Sequence, residues 1–263
     1  MTCERCRGTG FEIVEKEGRE FAVKCACRKA SGSVDSGDAL LRACRIPRRY
    51  DHCTLADFEP SNPSLKAALE KAMTYCAGYP HLGHDEGLGL LLTGDNGVGK
   101  THLAVAVLRE LVTTRGASGQ FWDFHELIRE IRNSYDQETR TTELQVLEPV
   151  VSADILALDD LGAWKMTDWM VDTLFYILNG RYMEKRATLI TTNFQDAPAE
   201  TAQRGDAFRR SEFLVDRIGQ RLRSRLQEMC LLIDIQAPDR REGRQIAHRL
   251  AIGAGLSAPP RKG

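Results

Sequence analysis

The sequence predicts an α/β protein, a five-stranded and mostly parallel sheet between layers of helices. Two observations carry this. Five short apolar runs, Gly89–Thr93, Gln120–Phe124, Asp154–Leu158, Ala187–Thr192 and Cys230–Ile235, alternate with helical periodicity over about 100–115, 125–134, 142–151, 168–184 and 206–229. Strands separated by helices pair in parallel, with both sheet faces covered. In addition, the first run leads straight into Gly94-Asp-Asn-Gly-Val-Gly-Lys-Thr101, a glycine-rich turn that opens the next helix. A chain of 263 residues is long enough for one such core and a small appendage.

The appendage falls at residues 1–29. Cys3 and Cys6 stand at one end, Cys25 and Cys27 at the other. Between them, the apolar runs at Phe11–Val14 and Phe21–Val23 flank Lys16-Glu-Gly-Arg19, the pattern of a small β-hairpin. A hairpin that brings two close cysteine pairs together supplies four thiolates for tetrahedral Zn²⁺. Four sulfur ligands leave no open position, so this metal is a folding staple for a zinc-ribbon-like module too small to bury a core. Residues 30–45 read as a linker, small and polar from Ala30 to Asp38. The main domain spans 46–263 and begins with an extended lead-in from Ile46-Pro-Arg-Arg-Tyr50 to Phe58-Glu-Pro60. A helix follows, with Ser64 as its N-cap and Leu65, Ala68, Leu69, Ala72 and Met73 on its apolar face. Cys44, Cys53, Cys76 and Cys230 are scattered and read as structural or incidental.

Composition excludes some classes. No run approaches the 18 apolar residues of a membrane span, and the N-terminus lacks the apolar stretch of a secretory signal. The expected compartment is the cytoplasm, where eight cysteines point to metal or free thiols rather than disulfides. Residues 1–50 hold eleven Lys/Arg against seven Asp/Glu, and 201–263 hold thirteen against seven. The net charge of −1 therefore hides an acidic middle between basic ends, either docking sites for polyanions or solvated faces.

The chemistry concentrates in the strand ends. The turn from Gly94 through Asp95, Asn96, Gly97, Val98 and Gly99 to Lys100, Thr101 and His102 fits the P-loop pattern between a strand and a helix. Its backbone N–H groups cradle phosphate oxygens, Lys100 reaches the β- and γ-phosphates of ATP, and the Thr101 hydroxyl ligates Mg²⁺. Ile155-Leu-Ala-Leu-Asp-Asp160 ends a buried strand in two carboxylates, with Asp159 assigned to the metal and Asp160 to the attacking water. Asn193, at the end of Thr188–Asn193, is placed either to touch the γ-phosphate or water or to make a turn. The helix Arg217–Leu226 carries its arginines opposite an Ile218/Leu222/Leu226 stripe, available to a neighbouring subunit's phosphates or to solvent.

Ala157-Leu-Asp-Asp-Leu-Gly162, Asn179-Gly-Arg-Tyr182, Leu189-Ile-Thr-Thr-Asn-Phe194, Arg223-Ser-Arg-Leu226 and the Ile46–Pro60 lead-in together resemble the DnaC/DnaI helicase loaders and their IstB-like relatives. The resemblance covers about residues 45–241 and implies an AAA+ P-loop ATPase with a reduced lid. It implies roles for Asn193 as sensor, Arg225 as an arginine finger acting in trans, and Arg240 (or Arg241, one register on) as second sensor. Arg221 and Arg223 are alternative fingers. It further implies a homo-oligomer formed with ATP, single-stranded DNA along the inner face near Phe121–Tyr135, and a replicative helicase as partner. The neighbouring alternative is an IstB-like helper that delivers a transposase to target DNA. Asp160 departs from the Glu of the broader AAA+ pattern, which puts fast unassisted turnover in doubt. A small-molecule P-loop kinase has no use for the Ser-Arg-Leu helix or the zinc module, and a nucleotide-insensitive adaptor conflicts with both intact phosphate motifs.

Overall fold

The computed structural model describes residues 11–16, 19–24, 34–82, 85–86, 88–135, 142–196 and 213–240. At the N-terminal end, β1 (Phe11–Lys16) pairs antiparallel with β2 (Arg19–Lys24), from Phe11 opposite Lys24 to Lys16 opposite Arg19. This is the expected hairpin. The four cysteines on either side of it lie outside the described residues.

The expected linker is corrected here. Residues 34–43 form a helix, α1 (Val34–Ala43), and the chain beyond it turns inward so that Cys44 is fully buried. The polar composition hid this because the docking is tertiary. Leu40 and Leu41 pack on the core, and Gly37 lies against the backbone of Thr113. A short 3-10 turn at Arg48–Tyr50 precedes α2 (Pro63–Gly78). The cap of α2 is Asn62, whose side chain accepts from Leu65 N at 2.8 Å, not Ser64. With Pro63 at the first helical position, the helix starts two residues earlier than its apolar pattern shows. Ser64 instead accepts from Gln236 N at 2.9 Å, linking α2 to the chain after the last strand. A two-residue ladder joins β3 (His81–Leu82) to β4 (Asp85–Glu86).

The core alternates as expected: β5 (Gly89–Gly94), α3 (Lys100–Arg115), β6 (Gly119–Asp123), α4 (Phe124–Asn133), α5 (Glu143–Ser152), β7 (Ile155–Asp159), α6 (Asp168–Met183), β8 (Ala187–Thr191), α7 (Leu214–Met229) and β9 (Cys230–Ile235). Every pairing in the five-stranded sheet is parallel, in the order β6-β7-β8-β5-β9. The P-loop strand is therefore central. The C-terminal ends of β5, β8 and β7 lie side by side, which is where ligands bind in open parallel sheets.

Side chains alternate between two apolar layers. Leu90, Leu92, Ile155, Ala157 and Leu189 join α2 and α3 on one face. Leu91, Leu156, Leu158 and Ile190 join α4, α5, α6 and α7 on the other. Phe121 and Trp122 fall in opposite layers for the same reason, and both are core residues. The second layer is tied by Arg181, which has no exposed surface. Its guanidinium donates to Thr188 Oγ1, to the carbonyls of Val150, Val151, Ala153 and Asp154, and to Ala187 O. Burial lowers its pKa to about 9, so it remains a cation at neutral pH, held by carbonyl dipoles.

Candidate nucleotide site

A cleft of about 510 Å³ opens at the C-terminal edge of the sheet, lined by the P-loop, the paired carboxylates, Thr191, Asn193 and Arg240. Its floor is the turn after β5. Gly97 has φ +74 and Gly99 φ +109, left-handed conformations that a side chain disfavours. A Cβ on Gly97 would also fall 1.7 Å from Asp239 Oδ1. Lys100 is buried and donates from Nζ to Gly94 O at 2.9 Å and Asp95 O at 2.7 Å, so the loop's own carbonyls hold its ammonium over the cradle.

Opposite, the end of β7 is held by a hydroxyl network. Asp159 Oδ1 accepts from Thr101 Oγ1 at 2.8 Å and from Thr191 Oγ1 at 2.6 Å. Burial pushes the Asp159 carboxyl up, and these two hydrogen bonds work to bring it back down. The same Thr191 oxygen accepts from Asp160 N at 2.9 Å. Asp160 sits at φ +60, which turns its carboxylate off the strand line, and Asn193 Nδ2 donates to its Oδ1 at 2.8 Å. Lys100, Thr101, Asp159, Asp160 and Asn193 therefore share one site. The hydroxyl of Thr101 and the carboxylate of Asp159, already adjacent, are hard oxygen donors that suit Mg²⁺.

Arg240 reaches the same cleft from the other side. Its N–H donates to Gly97 O at 3.2 Å, and its guanidinium pairs with Glu59 at 3.2 Å beside the Phe58 ring. Arg241 lies outside the described residues. His102 packs edge-on to Phe58, at 5.4 Å between ring centroids, with Nε2 3.0 Å from Thr54 O, and burial lowers its pKa.

Arg225 is not among the residues lining this cleft. It pairs with Glu228 at 3.0 Å, contacts Asn179 Oδ1 at 3.4 Å and lies 4.0 Å from the centre of the Tyr182 ring. Arg223, an alternative finger, is buried in an ion pair with Asp196 and serves the fold. Arg221 lies over Phe175 at 3.7 Å. The Ile218/Leu222/Leu226 stripe is buried as expected, and Gly219 (φ +79) kinks the helix between Ile218 and Leu222.

Sequence reasoning missed one wall. Arg49, Tyr50, His52 and Cys53, from the lead-in, line the cleft together with Asp123. Arg49 donates to the Tyr50 hydroxyl, which with the nearby Asp159 and Asp123 carboxylates raises its pKa. The signal was the Arg-Arg-Tyr cluster ahead of a P-loop, but nothing in it says which way the segment folds. Away from the cleft, α4 and the chain after β7 expose a second cluster. His125 stacks on Trp164 at 4.7 Å and 22°, and Arg132 faces the Trp169 ring at 5.5 Å.

A phosphate-binding loop on the central strand, with two carboxylates and a polar Asn on neighbouring strand ends, defines a nucleotide-binding P-loop protein of the AAA+ arrangement. The chain belongs to the IstB-like ATP binding protein family, whose sequence pattern matches residues 36–222. It is similar to the phage-like element PBSX protein XkdC of Bacillus subtilis, 27% identical over 236 residues, covering 87% of this chain and 79% of that protein. It is also similar to the replicative helicase loader DnaI of the same organism, 26% identical over 67% of this chain and 56% of the loader. Among solved structures, the DnaC helicase loader superposes with a TM-score of 0.60 and 31% identity, over 72% of this chain and all of that one. No helix among the described residues is long and apolar enough to cross a membrane.

Proposed function

We propose that this chain hydrolyses ATP with Mg²⁺ and acts in DNA replication as a loader of a replicative helicase onto single-stranded DNA in the cytoplasm. The observation that carries the reading is the complete cleft, P-loop to Asn193, in a chain similar over most of its length to helicase loaders. In this reading Lys100 and the loop N–H groups hold the phosphates, Asp160 and Asn193 orient the attacking water, and Arg240 faces the γ-phosphate end. Thr101 and Asp159 would hold Mg²⁺, which neutralises phosphate charge. Arg225 serves a neighbouring subunit's cleft, so activity requires an ATP-dependent homo-oligomer. That it does not line its own cleft supports that assignment. The surface formed by α4, with His125, Arg129 and Arg132, and by Trp164 after β7 offers cations and aromatic faces suited to unstacked bases.

The cysteines Cys3, Cys6, Cys25 and Cys27 bind one structural zinc, and the module they staple grips the helicase. The β1–β2 ladder supports this, because Phe11 opposite Lys24 sends the chain toward both cysteine pairs from the same end. The test is affinity capture with wild-type protein and Lys100→Ala, with and without ATP, alongside binding to single-stranded and duplex DNA. ATP-dependent capture of a replicative helicase, lost in Lys100→Ala, and ATP-strengthened preference for single strands are the expected results. Equal binding of both DNA forms regardless of nucleotide would overturn the loader reading, and capture of a transposase would replace it with the transposition helper.

A further inference from the structure

His52 and Cys53 follow the Arg48–Tyr50 turn, and His102 sits in the first turn of α3, directly after Thr101. Among the described residues these three form one group in which a donor atom from each lies within 4.8 Å of the others. Cys53 Sγ and His52 Nε2 are 3.9 Å apart. A sulfur and a nitrogen on one tetrahedral Zn²⁺ stand about 3.5 Å apart, from bond lengths near 2.3 and 2.0 Å, so little movement separates this pair from ligand geometry. The two imidazoles meet edge to face at 6.0 Å between centroids.

We propose that His52, Cys53 and His102 form a second zinc site, a three-ligand Cys-His-His centre on the wall of the nucleotide cleft. The chemistry of the donors fits. One thiolate and two imidazoles suit zinc and other borderline transition ions over Mg²⁺, which takes oxygen. Thr54 O, 3.0 Å from His102 Nε2, stands where metal-bound histidines direct their second N–H. With Nε2 protonated toward that carbonyl, Nδ1 keeps the lone pair a metal needs. Cys53 is 2% exposed, and ion binding releases its thiol proton to solvent. Arg240 opposes a cation here, but its guanidinium is turned to Glu59, and Asp57 contributes the opposite sign. All three residues line the cleft, so an ion held by them would sit on its wall. The site is distinct from the Cys3/Cys6/Cys25/Cys27 centre and does not depend on it.

The test counts zinc bound by the full-length chain at equilibrium, in wild type and in His52→Ala, with Co²⁺ as a spectroscopic probe. His52 is exposed, so its loss spares the fold. His52→Ala should retain one equivalent fewer than wild type, its affinity for that ion falling by ~100-fold or more, beyond what loss of an outer-shell partner costs. The wild-type-minus-variant cobalt spectrum should show a thiolate-to-cobalt band that Cys53→Ala also lacks. Should Cys53→Ala fail to fold, the His52→Ala count decides alone. Equal zinc in wild type and His52→Ala overturns the proposal, as does a band unchanged in folded Cys53→Ala. Failure of the N-terminal zinc centre would lower both counts by one and leave their difference intact.

Discussion

Thr191 joins the Asp159 carboxylate to the Asp160 backbone N–H through a single hydroxyl, so Thr191→Val is the sharpest probe of the cleft. Valine keeps the shape of the side chain, which is 2% exposed, and opens no cavity. What it removes is one donor to Asp159 and the acceptor for Asp160 N. A hydrogen bond to a carboxylate contributes about 1.5–3 kcal/mol and an orphaned buried N–H costs about 1–3 kcal/mol. Thr101 still donates to the same Asp159 oxygen, so the lower halves apply and the fold should lose about 3 kcal/mol. The Asp160 backbone, at φ +60, loses its one side-chain restraint there, and the carboxylate drifts from the position Asn193 shares with it. If about 2 kcal/mol of that appears in the transition state, kcat for ATP hydrolysis falls roughly 30-fold. Nucleotide affinity should change far less, since no P-loop contact is altered. Urea unfolding gives the first quantity, and steady-state phosphate release with a fluorescent analogue titration gives the other two. A folded variant with wild-type stability and kcat within about two-fold of wild type would refute the assignment of Thr191 as the positioning residue.

Arg181→Met should destabilise the fold by about 4 kcal/mol, because it strips a cation from the carbonyls closing α5 onto β7 and β8. A melting temperature within a degree or so of wild type would contradict that role. Gly97→Ala forces a Cβ onto Asp239 at a left-handed backbone position, so analogue affinity should drop by ~10-fold or more. Undiminished affinity would mean that the 94–101 turn is not the phosphate cradle. Arg225→Ala should keep ATP affinity and lose hydrolysis, while mixing it with Lys100→Ala should restore partial turnover where an intact cradle meets an intact finger. Mixed assemblies that stay inactive at every ratio would remove Arg225 from the neighbouring site.

The sequence was most legible where a covalent pattern and a local conformation coincide. Gly94–Thr101 needs left-handed glycines and a helix start within eight residues, so its spacing alone identifies the turn. Ile155–Asp160 and Ala187–Asn193 are continuous apolar runs that end in polar residues, so the runs mark buried strands and their ends mark the sheet's C-terminal edge. The hairpin pattern at residues 11–24 is local in the same way. Composition misled at 34–43, where Asp, Ser and Gly disfavour a helix in isolation and packing of Leu40 and Leu41 prevails.

By itself, then, the sequence determined the alternation of strands and helices, the phosphate turn, the acidic strand end and the stripe that buries one side of α7. The tertiary structure decided strand order, which sets the ends of β5, β7 and β8 next to one another. It also decided which of three neighbouring arginines is spent on the fold, since Asp196 pairs with Arg223 across 27 positions of sequence, a pairing that no periodicity encodes. The Arg49–Cys53 wall is of the same kind. Its residues are separated from the P-loop by more than forty positions, and only packing of Tyr50 on Phe121 and of Phe58 on His102 folds that segment over the cleft. Periodicity reports which face of an element is apolar, because burial acts residue by residue. Which elements meet is set by shape and by long-range pairs, and these leave no mark at any fixed spacing along the chain.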